Sequence, residues 1–252
     1  MSDQLLDFRG LVAVVTGGSR GLGKEMALAM AERGADIVIT SRKADACEEV
    51  ARDIKAMGRQ SMAYGCHVGH WDEVQAMIDA VYDRFGKIDI LINNAGMSPL
   101  YDKLSEVPEA LFDKVIDVNL KGPFRAMAYA GERMAESGGG SIINISSTAS
   151  LHPSPDAAAY GAAKAGLNSL TQSFAHALGP TVRVNCIVAG PFLTDISKAW
   201  DLEAFEASQE GNRAIPRGGD PAEIVGAALY FASPTSSFTT GTLVTVDGGG
   251  RR

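Results

Sequence analysis

Short apolar segments alternate with helical patterns along almost the whole chain, and this alternation restricts the folds open to it. The intervening stretches, such as residues 24–34, carry apolar residues at positions i, i+3, i+4 and i+7, as amphipathic helices do. The short segments are apolar on both faces, which is typical of a parallel sheet with helices on both sides. The sequence predicts an α/β, doubly wound fold with seven parallel strands at 11–16, 35–40, 61–68, 87–93, 140–146, 181–188 and 242–247.

One domain is expected over residues 1–252, because no Pro/Ser-rich linker and no internal repeat divides the chain. Residues 191–216 interrupt the alternation with a connection longer than usual, which carries Phe192, Trp200 and Phe205. Long connections in compact domains are often lids or binding loops, so this segment is predicted to be a substrate lid. The alternative is a pair of small helices that pack these aromatic side chains into the body of the protein.

Charge and cysteine usage exclude several classes of function. The net charge of -7 argues against nucleic-acid binding, which requires clustered Lys and Arg to neutralise phosphates. Cys47, Cys66 and Cys186 are widely spaced and odd in number, which predicts a reducing compartment and no metal site. No apolar run approaches the roughly 20 residues of a membrane span. We therefore expect a cytoplasmic protein with no membrane partner.

The glycine-rich stretch TGGSRGLG (16–23) follows the first predicted strand and opens the first helix. Gly17, Gly21 and Gly23 allow a tight turn and let a pyrophosphate approach the amides at the helix N-terminus. A plain turn remains the alternative for the loop alone. The second predicted strand ends in Ser41, Arg42 and Lys43 rather than in a carboxylate.

An acidic residue at the end of the second strand would bind the ribose hydroxyls of NAD, whereas a guanidinium can bind a 2′-phosphate. Arg42, Lys43 and the loop residue Arg20 therefore favour NADP over NAD. The alternative for Arg42 and Lys43 is a solvated loop. The only nearby carboxylate, that of Asp36, lies at the opposite end of the strand.

Tyr160 and Lys164 stand four residues apart in a segment of Ala, Gly and Leu, so they share one helical face. A lysine ammonium about 4 Å away, helped by the positive nicotinamide of an oxidised cofactor, could lower the pKa of a phenol from about 10 toward the range of acid/base catalysis. A chance pair on a surface helix is the alternative. Ser147 ends the fifth strand, where a carbonyl held by Tyr160 could also meet its hydroxyl. Asn119 lies within a predicted long helix, and a local backbone bond is its alternative reading.

Together, TGGSRGLG, NNAG (93–96), Asn119, Ser147 and YGAAK resemble the short-chain dehydrogenase/reductase superfamily, from about Arg9 to Gly250. The resemblance implies a Rossmann-type fold and NAD(P)-dependent interconversion of an alcohol and a carbonyl. It makes Tyr160 the acid/base, Ser147 the group that orients the carbonyl, Lys164 the ligand of the nicotinamide ribose, and Asn119 the holder of a relay water. Motifs and resemblance together assign the cofactor to Gly17, Ser19, Arg20, Gly21, Leu22, Gly23, Ser41, Arg42, Lys43, His67, Val68, Asn94, Ala95, Gly96, Tyr160, Lys164, Gly190, Phe192 and Thr194, with Asn93 in the same segment.

The sequence departs from the family pattern at two places. His67 stands where the family usually has an Asp that contacts adenine. Two readings remain for it: a residue that contacts adenine, or a surface histidine with no role in binding. The usual Pro-Gly after the sixth strand reads Ala189-Gly190, with Pro191 one place later.

The substrate is expected to be a fairly apolar small alcohol or carbonyl compound, in contact with His152, Phe192, Trp200 and Phe205. A reductase of 3-oxoacyl groups on acyl carrier protein is less favoured, because Lys164 is the only basic residue between Arg133 and Arg183. A non-catalytic cofactor-binding regulator is a second alternative. A methyltransferase is a third, but it would need an acidic residue at Arg42. The resemblance also implies a homotetramer assembled through helices around 110–135 and 158–178.

Overall fold

The seven predicted strands all form, and they assemble into one parallel sheet. The computed structural model describes residues 5–194, 197 and 201–251. In this part of the chain the sheet has the order β3-β2-β1-β4-β5-β6-β7, and all neighbouring strands are parallel. The strands are β1 Val12–Thr16, β2 Asp36–Ser41, β3 Ser61–Gly65, β4 Ile90–Asn93, β5 Gly140–Ser147, β6 Val182–Ala189 and β7 Leu243–Val246.

Helices cover both faces of this sheet. Those described are α1 Gly21–Glu32, α2 Ala44–Ala56, α3 Trp71–Phe85, α4 Glu109–Ile116, α5 Gly122–Glu136, α6 Ala158–Leu178, α7 Leu202–Gln209 and α8 Val225–Ala232. None of the helices in the described part of the chain has both the length and the apolarity needed to cross a bilayer. The described residues also contain no group of His, Cys, Asp and Glu that could hold a metal ion.

The alternation of side chains in β1 explains the two layers. Ala13 and Val15 pack in one core cluster with residues of α1, α2 and α8. Val12 and Val14 pack in the other cluster with residues of α3, α5 and α6. Because successive residues of a strand face opposite sides, a strand that is apolar throughout needs cover on both faces. The predicted doubly wound Rossmann-type fold is confirmed.

The strand order also places a binding crevice. β1 lies between β2 and β4, so the connections on its two sides run in opposite directions across the sheet. In open α/β sheets, ligands bind at the carboxyl ends of the strands beside this reversal. Thr16, at the end of β1, holds the segment after β4 there, since its Oγ1 accepts hydrogen bonds from the amides of Asn94 and Ala95 at 3.0 and 3.1 Å.

Several predicted elements have different limits in the structure, and β4, for example, begins at Ile90 rather than at residue 87. β3 ends at Gly65 rather than at Val68, because the His67 amide donates to the Glu73 carboxylate at 2.7 Å and turns the chain into α3. The long helix around Asn119 consists of α4 and α5 joined by a π-helical turn, Asp117–Lys121.

Candidate active site

A cavity of about 1140 Å³ lies at the carboxyl end of the sheet. It brings together residues that are far apart in the sequence, from the glycine loop to the catalytic pair and the predicted lid. The predicted site residues that line it are Gly17, Ser19, Arg20, Gly21, Leu22, Ser41, Arg42, Lys43, His67, Val68, Asn94, Ala95, Gly96, Ser147, His152, Tyr160, Lys164, Gly190, Phe192, Thr194 and Phe205. Gly23 and Asn119 are not among its lining residues, and Trp200 lies outside the described residues.

The glycine loop leaves the first amides of α1 available to a ligand. Gly17 and Gly21 adopt left-handed backbone conformations with φ of 65° and 52°, which glycine accepts without strain. No side chain caps α1 at Arg20, and its first turn contains no acidic residue. The first amides of a helix attract anions unless a side chain occupies them. The loop therefore fits the pyrophosphate of a dinucleotide.

Gly23 has a packing role, and its contact with the cofactor stays a prediction. A Cβ at this position would lie 2.4 Å from the Gly17 carbonyl oxygen and 2.5 Å from Asn94 Nδ2. The absence of a side chain lets α1 pack directly on the loop. Asn94 Nδ2 then donates to the carbonyl oxygens of Thr16 and Gly17 at 2.9 and 3.1 Å.

Asn93 is also not in contact with this cavity. Its side chain is buried, and Nδ2 donates to Asn144 Oδ1 at 2.9 Å. The pair joins β4 to β5 beneath the cavity, so Asn93 supports the sheet there. The neighbouring residues Asn94, Ala95 and Gly96 do line the cavity, whereas Asn93, which the resemblance places in the same segment, does not.

The end of β2 is basic. Arg42 and Lys43 are exposed and line the cavity, and the Ser41 hydroxyl donates to the Lys43 carbonyl at 3.0 Å. Asp36 lies at the other end of the strand, where it accepts from the Gln60 amide at 2.8 Å. The nearest carboxylate after β2 in the sequence is that of Asp45, in the first turn of α2, and it does not line the cavity.

His67 presents a hydrogen-bond donor to the cavity. The Gly69 amide donates to His67 Nδ1 at 3.2 Å, which leaves Nε2 as the protonated nitrogen of the neutral ring. Burial lowers the pKa of His67, and the nearby His70 and Arg42 act in the same direction. The rings of His67 and His70 are stacked with centroids 4.2 Å apart. His67 Nε2 can therefore donate a hydrogen bond, and the contact of His67 with adenine stays a prediction.

Ser147 and Tyr160, the predicted catalytic serine and tyrosine, meet at the start of α6. Ser147 is the last residue of β5, and its Oγ accepts from the Ala149 amide at 3.2 Å, which leaves the hydroxyl hydrogen for another partner. Burial raises the pKa of Tyr160, and a hydrogen bond with the Ser147 hydroxyl opposes this rise. Tyr160 is consequently a protonated phenol at neutral pH. Lys164 is not among the groups that shift this pKa within the protein itself, and the lowering predicted with the help of an oxidised nicotinamide stays a prediction.

Lys164 is buried and is held by β5. Its Nζ donates to the Ile145 carbonyl at 2.8 Å and lies 5.8 Å from the centroid of the Tyr160 ring. The side chain is buried, and burial lowers the pKa of Lys164 to about 8. The ammonium is thus anchored on the carbonyl of Ile145 in β5, next to the Tyr160 ring.

Asn119 holds the segment after β4 against the long helix. Its Nδ2 donates to the carbonyls of Met97 and Val115, both at 2.9 Å, and its Oδ1 accepts from the Met97 amide at 3.3 Å. The bond to Val115 is the local backbone bond expected as the alternative reading. Because both amide hydrogens have protein partners, the side chain acts here as a positioning group. Its role in a proton relay stays a prediction.

The opposite wall comes from α7 and the end of the chain. Phe205, Ser208 and Gln209 of α7 line the cavity at spacings of i, i+3 and i+4, so they share one helical face, and Asn212 lines it from the turn after the helix. The polar side chains among them bond within the segment; Ser208 Oγ donates to the Phe205 carbonyl at 2.6 Å, and Asn212 Nδ2 donates to the Ser208 carbonyl at 2.9 Å. Phe205 therefore supplies the apolar contact.

Several cavity-lining residues that sequence reasoning missed lie at the end of the chain. Asp247, Gly250 and Arg251 line the cavity. The Arg251 amide donates to the Asn212 carbonyl at 2.9 Å, and Arg213 forms an antiparallel bridge with Gly250. The run of glycines after Asp247 is the available signal, since it indicates a turn that returns the chain to the site.

Comparisons with known proteins agree with this arrangement. The family model described as enoyl-(acyl carrier protein) reductase matches residues 17–250. Dehydrogenase/reductase SDR family member 4 from Bos taurus is 35% identical over 240 residues, which cover 94% of this chain and 86% of that protein. A solved 7α-hydroxysteroid dehydrogenase, complexed with NADH and 7-oxo glycochenodeoxycholic acid, is 34% identical with a TM-score of 0.93 and coverage of 99% of this chain and 97% of that one. An NADPH-dependent 3-quinuclidinone reductase from Rhodotorula rubra is 30% identical with a TM-score of 0.92 and coverage of 99% and 94%.

Proposed function

The chain belongs to the short-chain dehydrogenase/reductase superfamily, and from this premise we propose that it reduces a small carbonyl compound with NADPH, or oxidises the matching alcohol. Membership of this family makes the protein an NAD(P)-dependent oxidoreductase. The preference for NADP and the class of substrate are what we propose in addition. The observation that carries the proposal is one cavity lined by the glycine loop, by Arg42 and by the Ser147–Tyr160 pair.

The geometry supports a division of labour in the reduction. NADPH, when bound, supplies the hydride. Tyr160 is a protonated phenol and can give its proton to the carbonyl oxygen, while the Ser147 hydroxyl donates a hydrogen bond to the same atom. The Lys164 ammonium stabilises the phenolate that remains, and its bond to Ile145 fixes it in place. Asn119 keeps the wall at Met97 in position.

The basic end of β2 supports NADP as the preferred cofactor. Arg42 and Lys43 can bind a 2′-phosphate by charge-assisted hydrogen bonds, and an acidic partner for the ribose is lacking among the described residues there. Replacing Arg42 with Asp should weaken NADPH binding by tenfold or more and leave NADH binding within about twofold. Arg52→Asp, at an exposed position within α2, is the control. Equal losses for both cofactors would contradict the phosphate contact.

Residues 191–216 are proposed to act as the substrate lid of a single domain. Phe205 and Phe192 from the lid, with His152 from the loop after β5, line the cavity that Tyr160 also lines. These side chains suit a substrate with a fairly apolar body. The described part of the segment contains one helix, α7.

The test is a panel of ketones and aldehydes with NADPH, and of the matching alcohols with NADP, followed by absorbance of the reduced cofactor. At least one pair should turn over, and Tyr160→Phe should lower kcat by about 10²-fold or more while NADPH affinity stays within about twofold. Turnover by the Phe variant at the rate of the native protein would refute the assignment. Absence of any turnover over a broad panel would favour a cofactor-binding regulator.

The description of the matching family model favours a second candidate, a reductase of a thioester carried by acyl carrier protein. Such a carrier is acidic, and Lys164, which is buried, is the only basic residue between Arg133 and Arg183. A free carbonyl substrate is therefore the first choice. A kcat/KM for a carrier-bound 3-oxoacyl group far above that of the free thioester would reverse this order.

A homotetramer is proposed from the same family resemblance. Phe112 on α4 and Phe124 on α5 are exposed, and α6 lies beside them with Phe174 in edge contact with Phe124 at 5.5 Å. Burial of such side chains against a second copy is favourable. Light scattering coupled to size exclusion should give four chains, and Phe124→Glu should lower that number.

A further inference from the structure

The cavity has the opposite charge to the protein that surrounds it. The whole chain carries a net charge of -7. Among the lining residues that the structure describes, one is acidic, Asp247, and six are basic. The six are Arg20, Arg42, Lys43, Lys164, Arg213 and Arg251. A cavity lined this way concentrates anions. A cation that has no partner within the protein or in the cofactor site is then available to bind an anionic ligand.

Five of the six cations have a partner or a place in the cofactor site. Arg20, Arg42 and Lys43 surround the part of the cavity that suits the cofactor phosphates. Lys164 is bonded to the Ile145 carbonyl.

Arg213 is the fifth, and its charge is balanced within the protein. Its guanidinium donates to the Asp247 carbonyl and to Gln209 Oε1, and it lies 3.9 Å from the Asp247 carboxylate. The side chain is 16% exposed. Arg213 therefore ties the lid to the end of the chain and has little capacity left for a ligand.

Arg251 is the remaining cation. Its backbone is fixed, because its amide donates to the Asn212 carbonyl at 2.9 Å on the same segment that carries Phe205. Its guanidinium has no hydrogen bond or ion pair with any residue that the structure describes. An exposed guanidinium on a fixed backbone at the rim of a cavity is suited to bind a carboxylate in a bidentate manner.

We infer that Arg251 binds an anionic group on the substrate, so that the substrate class is carbonyl compounds that carry a carboxylate at a distance from the reacting carbon. This inference rests on the proposed carbonyl reduction and adds the charge of the substrate to it. The apolar body lies against Phe205, and the carboxylate lies at the rim beside Asn212. Recognition at both ends aligns the carbonyl with Ser147 and Tyr160.

The experiment compares a series of oxo carboxylic acids of increasing chain length with their methyl esters, using NADPH as the reductant. The measured quantity is the ratio of kcat/KM for the acid to kcat/KM for the ester. The native protein should prefer the acid at one chain length by about tenfold, the effect of one charge-assisted pair. Arg251→Gln should reduce the ratio to near one, Arg251→Lys should retain part of it, and Arg52→Gln should leave it at the native value.

Ionic strength and cofactor affinity distinguish a substrate carboxylate at Arg251 from a cofactor phosphate at the same residue. Added salt should lower kcat/KM for the acid more than for the ester, because the pair is exposed to solvent. A loss of NADPH affinity in Arg251→Gln with an unchanged acid-to-ester ratio would show that Arg251 binds a cofactor phosphate, and would overturn the inference. An equal preference for acid and ester in the native protein would also overturn it.

A binding measurement distinguishes failure of the inference from failure of the proposed function. The ligands are alkanoic acids, which lack the oxo group of the substrates, and their methyl esters. Each is titrated by calorimetry into protein that already holds a saturating amount of NADPH. Tighter binding of the acid, lost in Arg251→Gln, supports the anion site even if no carbonyl compound is reduced. Acid binding that is no tighter than ester binding refutes the site even if reduction is observed.

Discussion

The catalytic wall, formed by the end of β5 and the start of α6, and the lid wall, formed by α7 and residues 247–251, close the same cavity with different kinds of contact. Ser147 and Lys164 of the catalytic wall lie on long regular elements, and the bond of Lys164 to Ile145 is buried. The lid wall is a short helix tied to the end of the chain by Arg213. Chemistry is thus placed on the rigid wall, and we expect specificity on the adaptable one.

The largest expected effect contrasts the two walls directly. Ser147→Ala should lower kcat by about 10²–10³-fold with little change in KM, because it removes a donor to the oxygen where charge develops. Phe205→Ala should instead raise KM by about tenfold with a small change in kcat, because it removes apolar contact that ground state and transition state share. Steady-state kinetics on one substrate measures both. A fall in kcat for Phe205→Ala as deep as that for Ser147→Ala would erase the distinction between the walls.

The next prediction tests how much the burial of the Lys164 ammonium lowers the free energy of unfolding. Below pH about 8 Lys164 is charged in both states, and the folded state alone bears the burial. Between about 8 and 10.5 the unfolded state keeps the proton and the folded state has lost it, so this cost falls as pH rises. At about 1.36 kcal/mol per pH unit, the unfolding free energy of Lys164→Met relative to the native protein should fall by about 3 kcal/mol across that window.

Urea unfolding at several pH values measures this difference, and the subtraction removes the titration of groups that both proteins share. Lys55→Met, at an exposed position on α2, is the control and should show no comparable change. A difference for Lys164→Met that is constant from pH 8 to pH 10.5 would mean that the lysine is better solvated than its burial indicates.

Much of the catalytic wall could be predicted from sequence because its signals are local. Strand periodicity placed Ser147 at the end of β5, and a four-residue spacing placed Tyr160 beside Lys164 on one helix. The direction of the Tyr160 pKa was not predictable in this way. It depends first on how deeply the fold buries the phenol, and this burial is not visible in the spacing.

The lid wall carried less information in its sequence. Arg213 and Asp247 are 34 residues apart, and only the assembled sheet brings them together. Asn119, in the π-helical turn, likewise bonds to Met97, 22 residues away. Contacts of this range have no periodicity, so the motifs identified the chemistry and left the substrate contacts of Arg251 and its neighbours unassigned.

A third prediction concerns the packing of α1 on the glycine loop, residues 16–23. Gly23→Ala places a Cβ 2.4 Å from the Gly17 carbonyl oxygen, so the loop must move. We expect a loss of about 1–3 kcal/mol in unfolding free energy, as for overpacked cores, together with weaker NADPH binding. Gly226→Ala in α8 meets no atom within 4 Å and should raise stability by about 0.5–1 kcal/mol. Equal stability of the two variants would show that the loop is adaptable.

The smallest expected effect tests the lid wall at its attachment. Arg213→Gln removes the bonds to Asp247 and Gln209, and since the side chain is mostly buried we expect a loss of roughly 1 kcal/mol. The substrate KM should rise severalfold while kcat changes little, which is the reverse of Ser147→Ala. Arg217→Gln breaks an exposed pair with Glu223 outside the cavity and should leave KM unchanged. If Arg213→Gln lowered kcat and spared KM, the lid would help to align the reacting groups, and the separation of chemistry from specificity between the two walls would fail.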